Sequence, residues 1–422
     1  MADHSWSAAR QVAATACRAL EPVAVPVREA LGCVLAGDVR AQVGLPVAPT
    51  AAMDGYAVRG TGPWRRIGAL LAGEEWSGVL RTGEAVEIAT GAPVPAGATA
   101  VLRYEDAEAG CLAGSFPGVS PTSMPVSLPA LSPMPSADDR AVLVGSRTAD
   151  LPHGRHIRAA GNELAAGQLL ASAGERVTAL TVGLLAAAGL DRVGVRPVPR
   201  VAVLVTGDEL VDEGLPTASR PRDALGPALP GLLAGLGADA AHPTRVGDTV
   251  EELTRALRLA LDVREPTAQV DLVLVTGASS LGPADHLHKA LADLGAELLV
   301  DGVACRPGHP QLLARLPGGT PVCGLPGHPF AAVAAVMTLV APILAVLDGR
   351  RPDPVTRCRW DGPRREHDVM LVPVRLIGGT PQPVGPSHSA SLVAVAAATH
   401  LLVVPPGSDD PQMLRLPTGL VH

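Results

Sequence analysis

Apolar positions along the chain change period several times, and each change marks a different element. Trp6, Ala9 and Val12 recur at helical spacing, so 5–31 reads as a helical start, with a second short helix from Val25 to Ala30, and Val34–Val43 reads as a strand. Short β-like runs follow at Arg66–Leu71, Glu84–Ile88 and Ala100–Tyr104, with a Gly/Pro-rich loop at 90–97, which predicts a small β-rich domain. Between Gly114 and Ala137 the chain is Ser, Pro, Met and small apolar residues without periodicity, and reads as a flexible insertion. An amphipathic helix is predicted at Val177–Gly189, with Gly189 as its C-cap.

From 199 to 347 apolar runs alternate with helical patterns. Strands are expected at 200–206, 271–275, 297–300 and 321–324, with a short one near His242. Helices are expected at 226–236, 250–262, 285–294 and 329–347. This rhythm predicts a doubly wound parallel sheet covered on both faces. Beyond Asp353-Pro354, strand-like segments at Val369–Leu376, Leu401–Val404 and Met413–Leu416 predict a C-terminal β domain. The fold class is thus α/β plus β, in several domains.

Composition narrows the choice. With 422 residues, more than one core is expected. Hydrophobic residues make up 47% but aromatics only 2%, so the cores must be built from Ala, Val and Leu. A net charge of −7 argues against nucleic acid as the main partner. The six cysteines contain no CxxC pair, which predicts neither a zinc site nor a disulfide framework and fits a reducing cytoplasm. The polar start, Met1 to Trp6, predicts no secretory leader. The apolar stretch Ala331–Leu347 contains Pro342 and is read as a core helix, not a membrane span.

Candidate chemistry gathers at strand ends. In an open α/β sheet, ligands sit outside the carboxyl ends of the strands. Three runs place small residues there: VAVLVTGDEL at 201–210, DLVLVTGASSLGPAD at 271–285 and VCGLPGHPFAAV at 322–333. The 206–209 acids suit either Mg²⁺, which prefers oxygen donors, or a helix N-cap. The loop 276–285 suits phosphate through Ser279, Ser280 and backbone N–H groups, or is a capped turn. Arg306-Pro307-Gly308-His309-Pro310 offers a fixed cation and a titratable one to an oxyanion. Asp54, in the β-rich part, reads by itself as a turn residue. No ligand spacing among His286, His288, His309 and His328 supports zinc.

Six ordered motifs carry a resemblance: AAMDGYAV (51–58), ATGAPVPAGATAV (89–101), VTGDEL (205–210), VTGASSLGPAD (275–285), CRPGHP (305–310) and GLPGHP (324–329). Together they resemble the molybdopterin molybdenumtransferases, the MoeA and gephyrin E-domain family, over essentially the whole chain. The resemblance implies an N-terminal linker domain (1–45 with 147–177), an inserted β-rich domain (46–146, its flexible loop at about 114–137), a molybdopterin-binding α/β domain (178–350) and a C-terminal β domain (351–422). It implies a cytoplasmic homodimer whose site forms where the α/β domain meets the partner's β-rich domain. The reaction it implies is insertion of molybdate into adenylylated molybdopterin, with release of AMP and assistance from Mg²⁺. A molybdopterin adenylyltransferase is the expected protein partner; no membrane is expected.

By the same resemblance, Asp54, Asp223, Asp285, Arg306 and His309 are the expected catalytic residues. Pterin and nucleotide contacts are expected from Thr90, Gly91, Thr206, Gly207, Thr276, Gly277, Ser280, Gly282, Pro326, Gly327 and Ser389. Asp208, Glu209 and Asp285 are the expected metal ligands. The chain differs from the family's motifs at 224–225, 278–281, 309 and 328, which motivates an alternative: a paralogue that binds molybdopterin or its adenylate as a carrier.

Overall fold

The computed structural model describes residues 3–111, 142–146, 151–261, 270–277, 286–350, 356–386, 388–407 and 411–417. The insertion expected at 114–137 and the expected site residues Ser280, Gly282 and Asp285 lie outside them. Contacts divide the chain into two compact units: one of Met1–Val39, Ala171–Val182 and Arg192–His422, the other of Arg40–Leu170 and Gly183–Asp191.

In the first unit, an α/β sheet runs Asp239–Ala240, Arg200–Val205, Leu272–Thr276, Pro321–Leu325, Leu312–Arg315, Glu297–Asp301. The first four of these strands are parallel. The Leu312–Arg315 and Glu297–Asp301 strands are antiparallel, so the sheet is mixed rather than wholly parallel. The cause is local. A short Pro-Gly-Gly-containing connection joins Leu312–Arg315 to Pro321–Leu325, too short for a crossover helix.

Alternation along the central strands fills two cores. Val201, Val203, Leu272, Leu274 and Cys323 face one cluster with Leu229 and Phe330, whereas Leu204, Val273, Val275 and Val322 face the other with Leu253 and Leu287. The strands are therefore continuously apolar, as a doubly covered sheet requires. Pro329–Leu347 runs through a π-helical segment at Val336–Val340. Its apolar window is 83% buried, as befits a core helix.

The N-terminal helix is shorter than expected, Trp6–Ala13. The second short helix expected from Val25 to Ala30 is a single 3-10 turn at Val27–Glu29, because Val23–Pro26 is a strand paired with Arg192–Arg196. Trp6, Ala9 and Ala13 join the first of the two cores. Trp6 Nε1 donates to Thr338 Oγ1 (3.1 Å) inside the π-helical segment, and Arg10 donates to the Met337 carbonyl. The expected strand at 34–43 resolves into two short strands, Val34–Leu35 and Val39–Arg40. The helix Ala179–Ala187 is apolar around its circumference rather than amphipathic.

A second sheet of the same unit contains an unexpected strand. Val303–Arg306, read from sequence as the approach to a turn, leaves the α/β sheet. It pairs in parallel with His4–Ser5 on one side and Val369–Ile377 on the other. His400–Val404, Gln412–Arg415 and Thr356–Arg357 extend this sheet. Trp360, Val374, Leu402 and Met413 fill one face, while Leu371, Leu401 and Val403 join the α/β core.

The second unit is built on a six-stranded sheet in the order Ala107–Cys111, Val142–Ser146, Trp64–Leu70, Glu84–Ile88, Gly55–Val58, Ala100–Arg103. Ala57, Val86 and Ile88 fill one face; Val58, Ala85 and Leu102 fill the other.

Candidate functional site

The carboxyl ends of three parallel strands lie side by side, with Val205 opposite Thr276 and Thr276 opposite Leu325. Thr206 Oγ1 donates to the Thr276 carbonyl (2.7 Å) and Gly277 N–H to the Leu325 carbonyl (3.0 Å). Gly277 has φ +80°, and a Cβ there would meet Thr206 Oγ1 at 2.9 Å. Only glycine fits that approach. Gly327 reaches Gly277 from the other side, since its Cβ would stand 3.6 Å from the Gly277 Cα. Thr206, Gly207, Thr276, Gly277, Pro326 and Gly327 thus form one continuous rim.

Two residues that sequence reasoning missed hold this rim. The Asp248 carboxylate accepts the N–H groups of Gly207 and Asp208, each at 2.9 Å. Arg245 donates to the carbonyls of Gly207 (3.0 Å) and Leu210 (2.9 Å). The two amides are therefore occupied by an internal carboxylate and are not open to a ligand. Asp223, one residue before the N-cap Ala224, accepts Leu225 and Gly226 N–H at Oδ1, both at 2.9 Å, and so satisfies two first-turn donors of the helix Leu225–Gly235.

A second cluster surrounds the first turn of the Pro329 helix. Ala331 N–H donates to the Ser389 carbonyl (3.1 Å), and Ser389 Oγ lies 3.0 Å from His328 Nδ1. On the other side, Gly308 (φ +103°) comes so near that a Cβ would lie 3.0 Å from Ala334 Cβ and 3.3 Å from the Ala331 carbonyl oxygen. The Arg306–His309 turn, His328 and Ser389 are thereby brought to one helix start. Within the turn, Arg306 Nε donates to Asp368 Oδ2 (3.2 Å), and His309 Nε2 is 2.8 Å from Asp3 Oδ2. Neither acid was singled out from sequence. Beneath the turn, burial pushes the Cys305 thiol up to about 12, so it stays a neutral thiol at physiological pH.

In the second unit, Asp54 and Thr90 come together, a contact the sequence alone did not predict. Asp54 Oδ1 accepts from Thr90 N–H (2.6 Å) and Thr90 Oγ1 (2.9 Å), and Gly91 takes φ +82° in the same turn. Tyr56 and Tyr104 meet edge-on beside it, ring centroids 5.4 Å apart. Tyr104 donates to Glu87 (2.7 Å), which also pairs with Arg66. Burial, then this hydrogen bond, push the Tyr104 phenol up.

Among the described residues no group of three or more His, Cys, Asp or Glu side chains is gathered as a metal centre. Asp208 and Glu209 are exposed at the rim, and their hard carboxylate oxygens suit Mg²⁺, which keeps several of its waters.

Residues 4–189 match the family described as "MoeA N-terminal region (domain I and II)" and residues 202–346 match "Probable molybdopterin binding domain". Molybdopterin molybdenumtransferase 2 of Mycobacterium tuberculosis is 31% identical, the alignment covering 94% of each chain. Molybdopterin molybdenumtransferase of Synechococcus elongatus is 28% identical over 91% of each. Among solved structures, the molybdopterin biosynthesis MoeA protein of Pyrococcus horikosii superposes with a TM-score of 0.72 at 26% identity, over 99% of this chain and 100% of that one. Glycine-bearing strand ends, a cation-bearing turn and end-to-end similarity at this level converge on one conclusion: the chain belongs to the molybdopterin molybdenumtransferase family.

Proposed function

We propose that this chain inserts molybdate into adenylylated molybdopterin and releases AMP, as a transferase of molybdenum cofactor biosynthesis. The observation that carries this reading is the alignment of nearly the whole chain with curated relatives bearing that name, both units included. The rim of Thr206, Gly207, Thr276, Gly277, Pro326 and Gly327 offers a surface without bulky side chains to the phosphates of the substrate. Arg306 supplies fixed positive charge to molybdate, and Ser389 a hydroxyl near the same helix start. Asp208 and Glu209 hold Mg²⁺, which when bound offsets charge on the phosphate oxygens. Asp54 and Thr90, with Gly91, form a polar turn able to contact substrate. Asp223 and Asp285, with Ser280 and Gly282, complete the expected set. The protein acts as a homodimer in the cytoplasm and receives its substrate from a molybdopterin adenylyltransferase.

The test is AMP release from adenylylated molybdopterin by purified protein, with and without molybdate and Mg²⁺. Molybdate-dependent release is expected; its absence beside an active homologue refutes the reading. One observation favours the carrier alternative: the Arg306 guanidinium and the His309 imidazole each already contact a carboxylate. Tight substrate binding without AMP release would select it. Sedimentation at micromolar concentration tests the dimer.

A further inference from the structure

Among the expected catalytic residues, Arg306 carries a fixed guanidinium that another segment of the chain anchors through a single nitrogen. The contact runs from Nε to Asp368 Oδ2, at 3.2 Å. Asp368 immediately precedes the strand Val369–Ile377. That strand pairs with Val303–Arg306, Cys305 opposite Val369 and Arg306 opposite Met370. The strand pairing therefore delivers the carboxylate to the guanidinium. The Arg306 side chain remains 44% exposed, whereas that of Asp368 is 26% exposed. A guanidinium held by Nε presents its two Nη groups outward as a fork, the geometry that binds an oxyanion through two parallel hydrogen bonds. The backbone beneath the fork is also fixed. Gly308, at φ +103°, seats the turn close against Ala331 and Ala334, where a Cβ would be tight, and Gln311, 1% exposed, donates to the Gly308 carbonyl.

We propose that Asp368 is a positioning residue for Arg306: it orients the guanidinium by its Nε so that the Nη fork faces a tetrahedral dianion. This deepens the reading of Arg306 as the molybdate-binding cation and rests on it. The rival physical role is that of a counter-ion, in which the carboxylate lowers anion affinity by competing for the same charge. The two roles differ in what an isosteric amide does. Asparagine keeps an oxygen that accepts from Nε–H but removes the negative charge; alanine removes both.

The experiment measures molybdate binding by calorimetry and, in the AMP-release assay, KM for molybdate and kcat, on the full chain. D368A is expected to raise Kd and KM roughly tenfold, the equivalent of losing the orientation given by one charge-assisted hydrogen bond, with kcat nearly unchanged. D368N is expected to stay within about threefold of the parent, because the hydrogen bond persists. Tighter binding in D368N, or an unchanged Kd in D368A, overturns the proposal in favour of a counter-ion or a bystander. Thermal melting of both variants runs alongside, and if D368A does not fold, the sign of the change in D368N decides. Failure of the parent protein to bind or use molybdate refutes the underlying reading of Arg306 itself, an outcome separate from a parent that binds and a variant that does not differ.

Discussion

Ser389 makes two contacts with the start of one helix: its carbonyl accepts Ala331 N–H at 3.1 Å and its hydroxyl lies 3.0 Å from His328 Nδ1. The first turn of a helix has N–H groups without intrahelical partners, and here a distant loop satisfies one of them. In Ser389→Ala the carbonyl contact remains and only the hydroxyl is lost. Stability should fall by no more than about 1 kcal/mol, since the lost bond is partly exposed. AMP release should fall by roughly tenfold, because His328 loses the hydroxyl that orients its ring. Paired melting and turnover measurements check this; equal losses in both would assign Ser389 a structural role only.

Gly308→Ala tests the seat of the cation-bearing turn. The substitution places a methyl group at a left-handed backbone (φ +103°) and against Ala334 Cβ and the Ala331 carbonyl. A cost of about 1–3 kcal/mol is expected from backbone strain alone. Because the turn must shift to relieve it, KM for molybdate should rise more than kcat falls. A variant with parent-like KM would show that the turn's position does not matter for substrate.

Thr338 lies buried in the π-helical segment, donating to the Ala334 carbonyl (2.7 Å) and accepting from Trp6 Nε1 (3.1 Å). Thr338→Val keeps the volume and strands the indole N–H in the core. Urea denaturation should show a loss of about 1–3 kcal/mol, the cost of an unsatisfied buried donor. Adding Trp6→Phe should recover part of that loss, since the stranded N–H is removed with the indole.

A pH dependence is expected from His400, which pairs with Arg415 across the C-terminal sheet. Burial, and then the Arg415 charge, hold its imidazole below the ordinary value of 6.5. The unfolded chain therefore takes up this proton more readily than the folded one. The sign follows: His400's contribution is fully present above pH 6.5 and is lost as pH falls through the depressed folded value. Melting temperatures from pH 8 to about 5 should decline on the acid side, and His400→Gln should decline less.

The central strands were legible in sequence because burial on both faces leaves an uninterrupted apolar run. Those around Leu272–Thr276 and Pro321–Leu325 fall within a residue of their expected limits. What escaped was whatever depends on a partner far along the chain. Asp248 and Arg245 clamp the Gly207 loop, yet each looks like an ordinary surface charge before a helix. Asp3 and Asp368 acquire meaning only once the Val303–Arg306 strand is seen between them. That strand was itself missed because its neighbours lie in the first and last parts of the chain and local periodicity over four residues is too short to register. The second short helix expected from Val25 starts late for a related reason: Val25 and Pro26 belong to a strand whose pairing with Arg192–Arg196 decides, leaving only the turn Val27–Glu29.

The Val303–Arg306 strand also sets the order in which this protein can be completed. One edge of it bonds to His4–Ser5, available from the beginning of synthesis, and the other to Val369–Ile377, which emerges only later. Until then, the strand leading into the cation-bearing turn has an unpaired edge, and Arg306 has no carboxylate to hold it. A ribosome-bound chain ending near residue 350 would carry the rim of small residues but lack both Asp368 and Ser389. Assembly of the anion turn is thus coupled to the arrival of the last segment, so a prematurely ended chain would lack part of the binding apparatus even with its α/β core in place.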